Sequence, residues 1–219
     1  MTNFIPVLPL EIVVFPGEKL NLHITQPASR ELIIDAKNSN NGFGISTTIN
    51  GQPKELGCTV SVLEIIPKDD DTIDVRLEAR KIFKILEVIP SIPDRKYGGA
   101  IVHYPYVSMF GSEPLMKKVL AGVREVLQLM DSDKVFEKPD DQLSSFDIAH
   151  RAGMPLQDEY ILLELEHELH RQEFLKRYLE KTLPVLRTIH SMKEKVNLNG
   201  HFRNVENNPN NISDGNSLS

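Results

Sequence analysis

The spacing of apolar positions divides the chain in two. Up to about residue 108 it follows a period of two, as in strands whose alternate side chains face a core; from Pro114 it follows a period near 3.6, that of amphipathic helices. In the first half Leu20, Leu22 and Ile24 alternate with polar neighbours and leave His23 on the solvent side. Ser29 is the expected N-cap of a short helix over residues 30–37, ended by the Asn-rich stretch before Gly42. Residues 43–49 alternate again, and Asn50-Gly51 predicts a hairpin because both residues tolerate positive φ. A long strand is expected over 57–67, a polar tip at Lys68-Asp69-Asp70-Asp71, and a strand over 72–79 with Ile73, Val75, Leu77 and Ala79 on one face. Arg80-Lys81 marks a bend before a further strand to Pro90, and a loop over 90–99 leads to a last strand over 100–106. Short strands at such regular spacing argue for a closed or nearly closed barrel.

In the second half Leu115, Val119, Leu120, Val123, Val126, Leu127 and Met130 form one helical stripe, followed by a polar loop over 131–143. Ser145 opens a short helix that Gly153 ends. Residues 158–189 are the longest periodic run, with a stripe through Leu162, Leu165, Leu169, Leu175, Leu179 and Leu186, acidic at its start and basic at its end as a helix dipole favours. Pro184 should kink or interrupt it. The expected organisation is therefore α+β: a β-barrel over residues 1–108, a helical bundle over 109–196, and a disordered, apolar-poor tail over 197–219.

One stretch departs from both periods. Residues 5–17, Ile5-Pro6-Val7-Leu8-Pro9-Leu10-Glu11-Ile12-Val13-Val14-Phe15-Pro16-Gly17, cannot form a helix. Pro6 and Pro9 force an extended edge strand or polyproline-like run, and Pro16-Gly17 has the residue types of a type II turn. Every unusual residue in it has a backbone role, and none can bind a metal or move a proton. The run IPVLPLEIVVFPGEKLNLHI resembles the opening of the Lon N-terminal (LON substrate-binding) domain family, carried here by Pro9, Leu10, Val14, Phe15, Pro16 and Gly17, with Asn21-Leu22 where the family has Pro-Leu. Glu78-Ala79-Arg80-Lys81-Ile82-Phe83-Lys84-Ile85 is similar to a later barrel strand of that family, with Ala79 in place of its usual glycine. The helical half, from Ser145 to Leu186, is similar to the family's more weakly.

Composition narrows the function. Apolar residues make up 40% and charged residues 26%, which suits a globular chain with a core. The net charge of −6 opposes a broad nucleic-acid footprint, and aromatics at 6% with no Trp leave few platforms for stacked bases. The single Cys58 lies in an apolar strand and cannot form an intrachain disulfide, so a buried thiol in a reducing, cytoplasmic setting is expected. No run approaches the roughly 18 apolar residues of a membrane span, and there is no secretory leader pattern.

Motifs for chemistry are sparse. Gly42 and Gly44 lack the third glycine of a dinucleotide fingerprint, and Asp69-Asp70-Asp71 lacks the spacing of a calcium loop. His167 and His170 stand three apart beside Glu164, Glu166 and Glu173, but a zincin helix needs its second histidine four residues on, where Arg171 stands. No phosphate-binding loop or nucleophile elbow occurs.

The family resemblance implies a PUA-like β-barrel packed on helices; the missing phosphate-binding loop, the lack of any likeness to the Ser-Lys protease domain and the chain length add the expectation of a stand-alone protein without the ATPase and protease domains of a Lon protease. It implies a non-catalytic module, needing no cofactor or metal, that binds unfolded or hydrophobic polypeptide segments or docks to a protease or chaperone partner. The binding surface would be an apolar groove between barrel and helices or a free sheet edge. Two alternatives stand beside it: an RNA-binding PUA-like module, and a metal-dependent enzyme at His167 and His170.

Overall fold

The computed structural model describes residues 2–69, 71–133 and 135–205. Strands β1 (Thr2–Leu10), β2 (Lys19–Ile24), β3 (Phe43–Ile49), β4 (Gln52–Pro67), β5 (Ile73–Ile89) and β6 (Gly99–His103) are followed by helices, apart from α1 (Pro27–Ser39) inserted after β2. The helical half comprises α2 (Glu113–Leu129), α3 (Ser145–Ile148), α4 (Leu156–Glu164) and α5 (Glu168–Val205), so the fold is α+β.

The sheet order is β2-β5-β4-β3-β1-β6, and β6 pairs again with β5. The pairing thus returns to β5 and closes a ring of β5, β4, β3, β1 and β6, with β2 added on the first half of β5. Closure depends on β1 changing partners along its length. Ile5 lies antiparallel to Ala100 of β6, whereas Leu8 lies parallel to Ile45 of β3. The expected edge or polyproline-like run is therefore a strand paired throughout, but on one side at a time, which is how a sheet tolerates Pro6 and Pro9 without their amide donors.

The expected bend at Arg80-Lys81 is a bulge inside one 17-residue strand. Ala79 pairs with Val60 and Ile82 with Cys58, so Arg80 and Lys81 together oppose Thr59. The Thr59 hydroxyl fills the gap, accepting from the Lys81 amide at 3.1 Å and lying 3.2 Å from the Lys81 carbonyl. Asn50 (φ 51) and Gly51 (φ 73) make the expected hairpin turn. β6 ends at His103, short of the expected Tyr106.

Several helical expectations change. α1 starts earlier, with Gln26 as N-cap and Pro27 in the first turn, and Ser29 is buried inside the helix. Met130 is exposed rather than part of the α2 stripe, while Val119, Leu120, Val123, Val126 and Leu127 are buried. The run over 158–189 is two helices: Leu165 leaves helical geometry with ψ 110, and the following backbone pairs with the barrel's exit segment. The Ser108 amide donates to the Glu166 carbonyl at 2.8 Å and the Glu168 amide to the Ser108 carbonyl at 3.0 Å. α5 in turn runs through Pro184 without interruption and on to Val205, so the first part of the expected tail is helical; residues 206–219 lie outside the described residues.

Two large apolar clusters organise the interior. Inside the barrel Phe43, Ile45, Cys58, Val60, Val75 and Leu77 pack with Leu32 and Ile33 of α1. The helical cluster is built on Val123, Val126, Phe146, Leu162, Leu175 and Leu179, but it also takes in Val13, Phe15, Ile49 and Ile82 from the barrel side. Each such side chain contributes about 1.5–3 kcal/mol through burial, so the two halves share stabilising surface.

Candidate functional site

The unusual opening stretch lies where these clusters meet. Val13, Val14 and Phe15 belong to no strand yet still alternate: Val14 packs in the barrel, Val13 and Phe15 in the helical cluster. Pro9 is exposed opposite Ser46, Leu10 packs partly buried on the barrel core, and Pro16 and Gly17 form the turn, with Gly17 at φ 84. The Glu18 amide donates to the Phe15 carbonyl at 3.2 Å, and the Glu18 carboxylate accepts from the Phe15 amide at 3.1 Å. Adding a Cβ at φ 84 strains the backbone, so glycine suits this turn.

His150, from the turn after α3, sits over this corner. Its ring lies 4.9 Å from that of Phe15, with Nδ1 2.8 Å from Glu159 and Nε2 3.2 Å from Glu18. Partial burial alone would lower its pKa; the hydrogen bonds to Glu159 and Glu18 outweigh that and push it up to about 9. The imidazolium thus bridges the barrel turn and the helical half.

A second joint is fully buried. The Arg171 guanidinium donates to Ser145 Oγ at 2.9 Å, Glu168 Oε2 at 2.9 Å, and the carbonyls of Leu165 at 2.6 Å and Ser108 at 2.8 Å, and its plane lies 4.1 Å from the Phe146 ring centre. Glu168 accepts in addition from the Ser145 amide and hydroxyl and from Gln172, whose own amide oxygen takes the Ser112 amide. Burial pulls the Arg171 pKa below its usual value and Glu168 opposes that pull. Glu168 is therefore buried and paired, in the first turn of α5 where the dipole favours it.

Next to these joints a cavity of about 710 Å³ opens along the seam. Its walls come from β4 (Pro53, Leu56), β5 (Ile82, Leu86), the segment after β6 (Pro105, Val107) and α4 (Tyr160, Leu163). The Tyr160 hydroxyl accepts from the Leu56 amide at 3.1 Å and ties α4 to β4 across it. Lys54, Glu55, Lys84, Glu164 and Glu166 supply its charges. Leu86 is 55% exposed, so apolar surface continues out of the cavity. Apart from Glu164 and Glu166, noted beside His167 for another chemistry, none of these residues stands out in the sequence, since they come from separate elements each with ordinary patterning.

The remaining candidates lie apart from the seam's floor. His23 faces solvent and bonds Asp74 at 2.8 Å. His167 and His170 are exposed with ring centres 5.3 Å apart, and among the described residues no group of three or more His, Cys, Asp or Glu could hold a metal ion. Cys58 is buried in the barrel, which pushes its thiol up to about 12. Among the described residues no helix is long and apolar enough to cross a membrane.

Comparison with known proteins agrees with this architecture. The family model for the ATP-dependent protease La (LON) substrate-binding domain matches residues 5–214. The crystal structure of a Lon N-terminal domain protein from Xanthomonas campestris superposes with a TM-score of 0.63 at 18% identity, over 79% of this chain and 96% of that one. The N-terminal domain of a Mycobacterium avium complex Lon protease does so with a TM-score of 0.62 at 13% identity, over 81% and 98%. At these identities the likeness concerns the fold. No curated protein matches the chain in sequence.

Proposed function

The chain belongs to the LON substrate-binding domain family, and from that premise we propose that it is a binding module without catalysis of its own, taking up apolar segments of unfolded polypeptide in the seam cavity. The observation that carries this reading is the cavity itself: an aliphatic floor of Leu56, Ile82 and Leu163 with a polar rim, open at Leu86 to solvent. A concave site with apolar side chains on its floor and charged or polar groups around them can hold an apolar side chain while its rim meets the polar backbone of the guest. The RNA-binding alternative finds less support, since the seam's two lysines are outnumbered by Glu55, Glu164 and Glu166 and Lys84 is paired with Glu55 at 3.1 Å. Docking to a protease or chaperone partner could use the same surface.

The test is binding of a fluorescently labelled, permanently unfolded casein-like chain. Saturable binding is expected, and Leu86→Asp, at a half-exposed position, should weaken it about tenfold without lowering Tm. Unchanged affinity in that variant would move the site elsewhere, the outer edge of β2, which pairs with β5 alone, being the next place to look.

A further inference from the structure

We propose that the seam cavity selects segments in which a large apolar side chain stands beside a lysine or arginine. This rests on the reading of the seam as a polypeptide site and adds a charge preference to it. The lining carries two lysines and the imidazole of His103 against three glutamates. Both lysines are engaged: Lys84 Nζ lies 3.1 Å from Glu55, and Lys54 Nζ lies 5.9 Å from the centre of the Tyr160 ring. Glu164 and Glu166 are exposed and have no ion pair among the described residues. With Glu55 paired to Lys84, the rim keeps the carboxylates of Glu164 and Glu166 against the single charge of Lys54, a net negative excess above an aliphatic floor.

Their placement strengthens the effect. Glu164 is the last residue of α4, where the free carbonyls of a helix end concentrate negative potential. Glu166 follows the break after α4, and its backbone is held by the Ser108 amide at 2.8 Å, so this carboxylate is mounted on a fixed segment. Tyr160, between floor and rim, feels the same field: burial first, then the charges of Glu164 and Glu55, raise its pKa while the Leu56 amide opposes them. A guest that places an aliphatic or aromatic side chain on Leu56, Ile82 and Leu163 brings its neighbouring residues to this rim. A cation there is attracted; an anion meets two like charges.

The experiment uses the 219-residue chain and four unstructured labelled peptides of one length. Three share a leucine-rich centre flanked by Lys, Ser or Glu, and the fourth is Lys-flanked with a Ser-Gly centre. At low ionic strength the Lys-flanked apolar peptide should bind about fivefold more tightly than the Ser-flanked one and the Glu-flanked one least, and the spread should shrink at about 0.5 M salt. Glu164→Gln/Glu166→Gln should level the three apolar peptides at unchanged Tm. Equal affinity for Lys- and Glu-flanked peptides, or a preference that survives the double substitution, would overturn the charge inference and leave the seam reading standing. Tight binding of the Ser-Gly-centred peptide would overturn it too, as charge alone would then suffice. If no leucine-centred peptide binds, the seam reading itself falls.

Discussion

His150 is the titrating residue with the most to say about stability. Its folded pKa of about 9 lies above the ordinary 6.5, so the charged form is favoured by folding, through Glu18 and Glu159. The stabilisation is therefore complete below about pH 6.5 and is lost as pH rises through about 9. Because the ring also lies against Phe15, losing the charge loosens the contact between the barrel corner and the helices. Thermal melts should give a Tm that falls between pH 6.5 and 9.5 in the native chain and falls less in His150→Gln; parallel curves would remove His150 from this role.

At the level of elements, the break between α4 and α5 sets the seam. It frees Glu166 and Glu168 backbone groups to pair with Ser108, and Arg171 then holds the linker, α3 and α5 together from inside. Arg171→Met should cost about 3–5 kcal/mol in denaturant unfolding, because Glu168 is left charged, buried and without its cation; adding Glu168→Gln should recover part of that loss. Equal destabilisation by the single and double variants would count against the pair. None of this could be read from the chain. The apolar stripe through Leu162, Leu165 and Leu169 keeps its helical spacing across the break, and the cause of the break is the backbone of Ser108, distant in sequence and silent in any side-chain pattern. Arg171 entered the sequence reading only as the residue standing where a zincin needs histidine. By contrast, Asn50-Gly51 and Pro16-Gly17 were legible because turn geometry is set by the residues themselves, and the strands because alternation survives bulges. The opening stretch was legible as a corner, but that Val13 and Phe15 serve the helical core while Val14 serves the barrel depends on what lies on either side.

In the whole molecule, ring closure and shared packing act together. Phe15, Ile49 and Ile82 place barrel side chains in the helical core, so the cavity beside them is walled by elements that also pack into that core. Walls braced by shared packing lower the ordering cost on the protein's side of binding, which favours a peptide guest that must itself become ordered. The two-partner strand β1 also has a consequence in time. Its second half can pair with β3 once residues 44–47 are available, but its first half must wait for residues 99–103, the most distant contact in the ring. Pulse-labelled hydrogen exchange during refolding should find the β3–β4 hairpin amides protected before those of β6 and the start of β1; simultaneous protection would argue against staged closure. On the ribosome, where synthesis runs at about 5–20 residues per second, the open ring would persist for several seconds, with β1 half paired and accessible to chaperones.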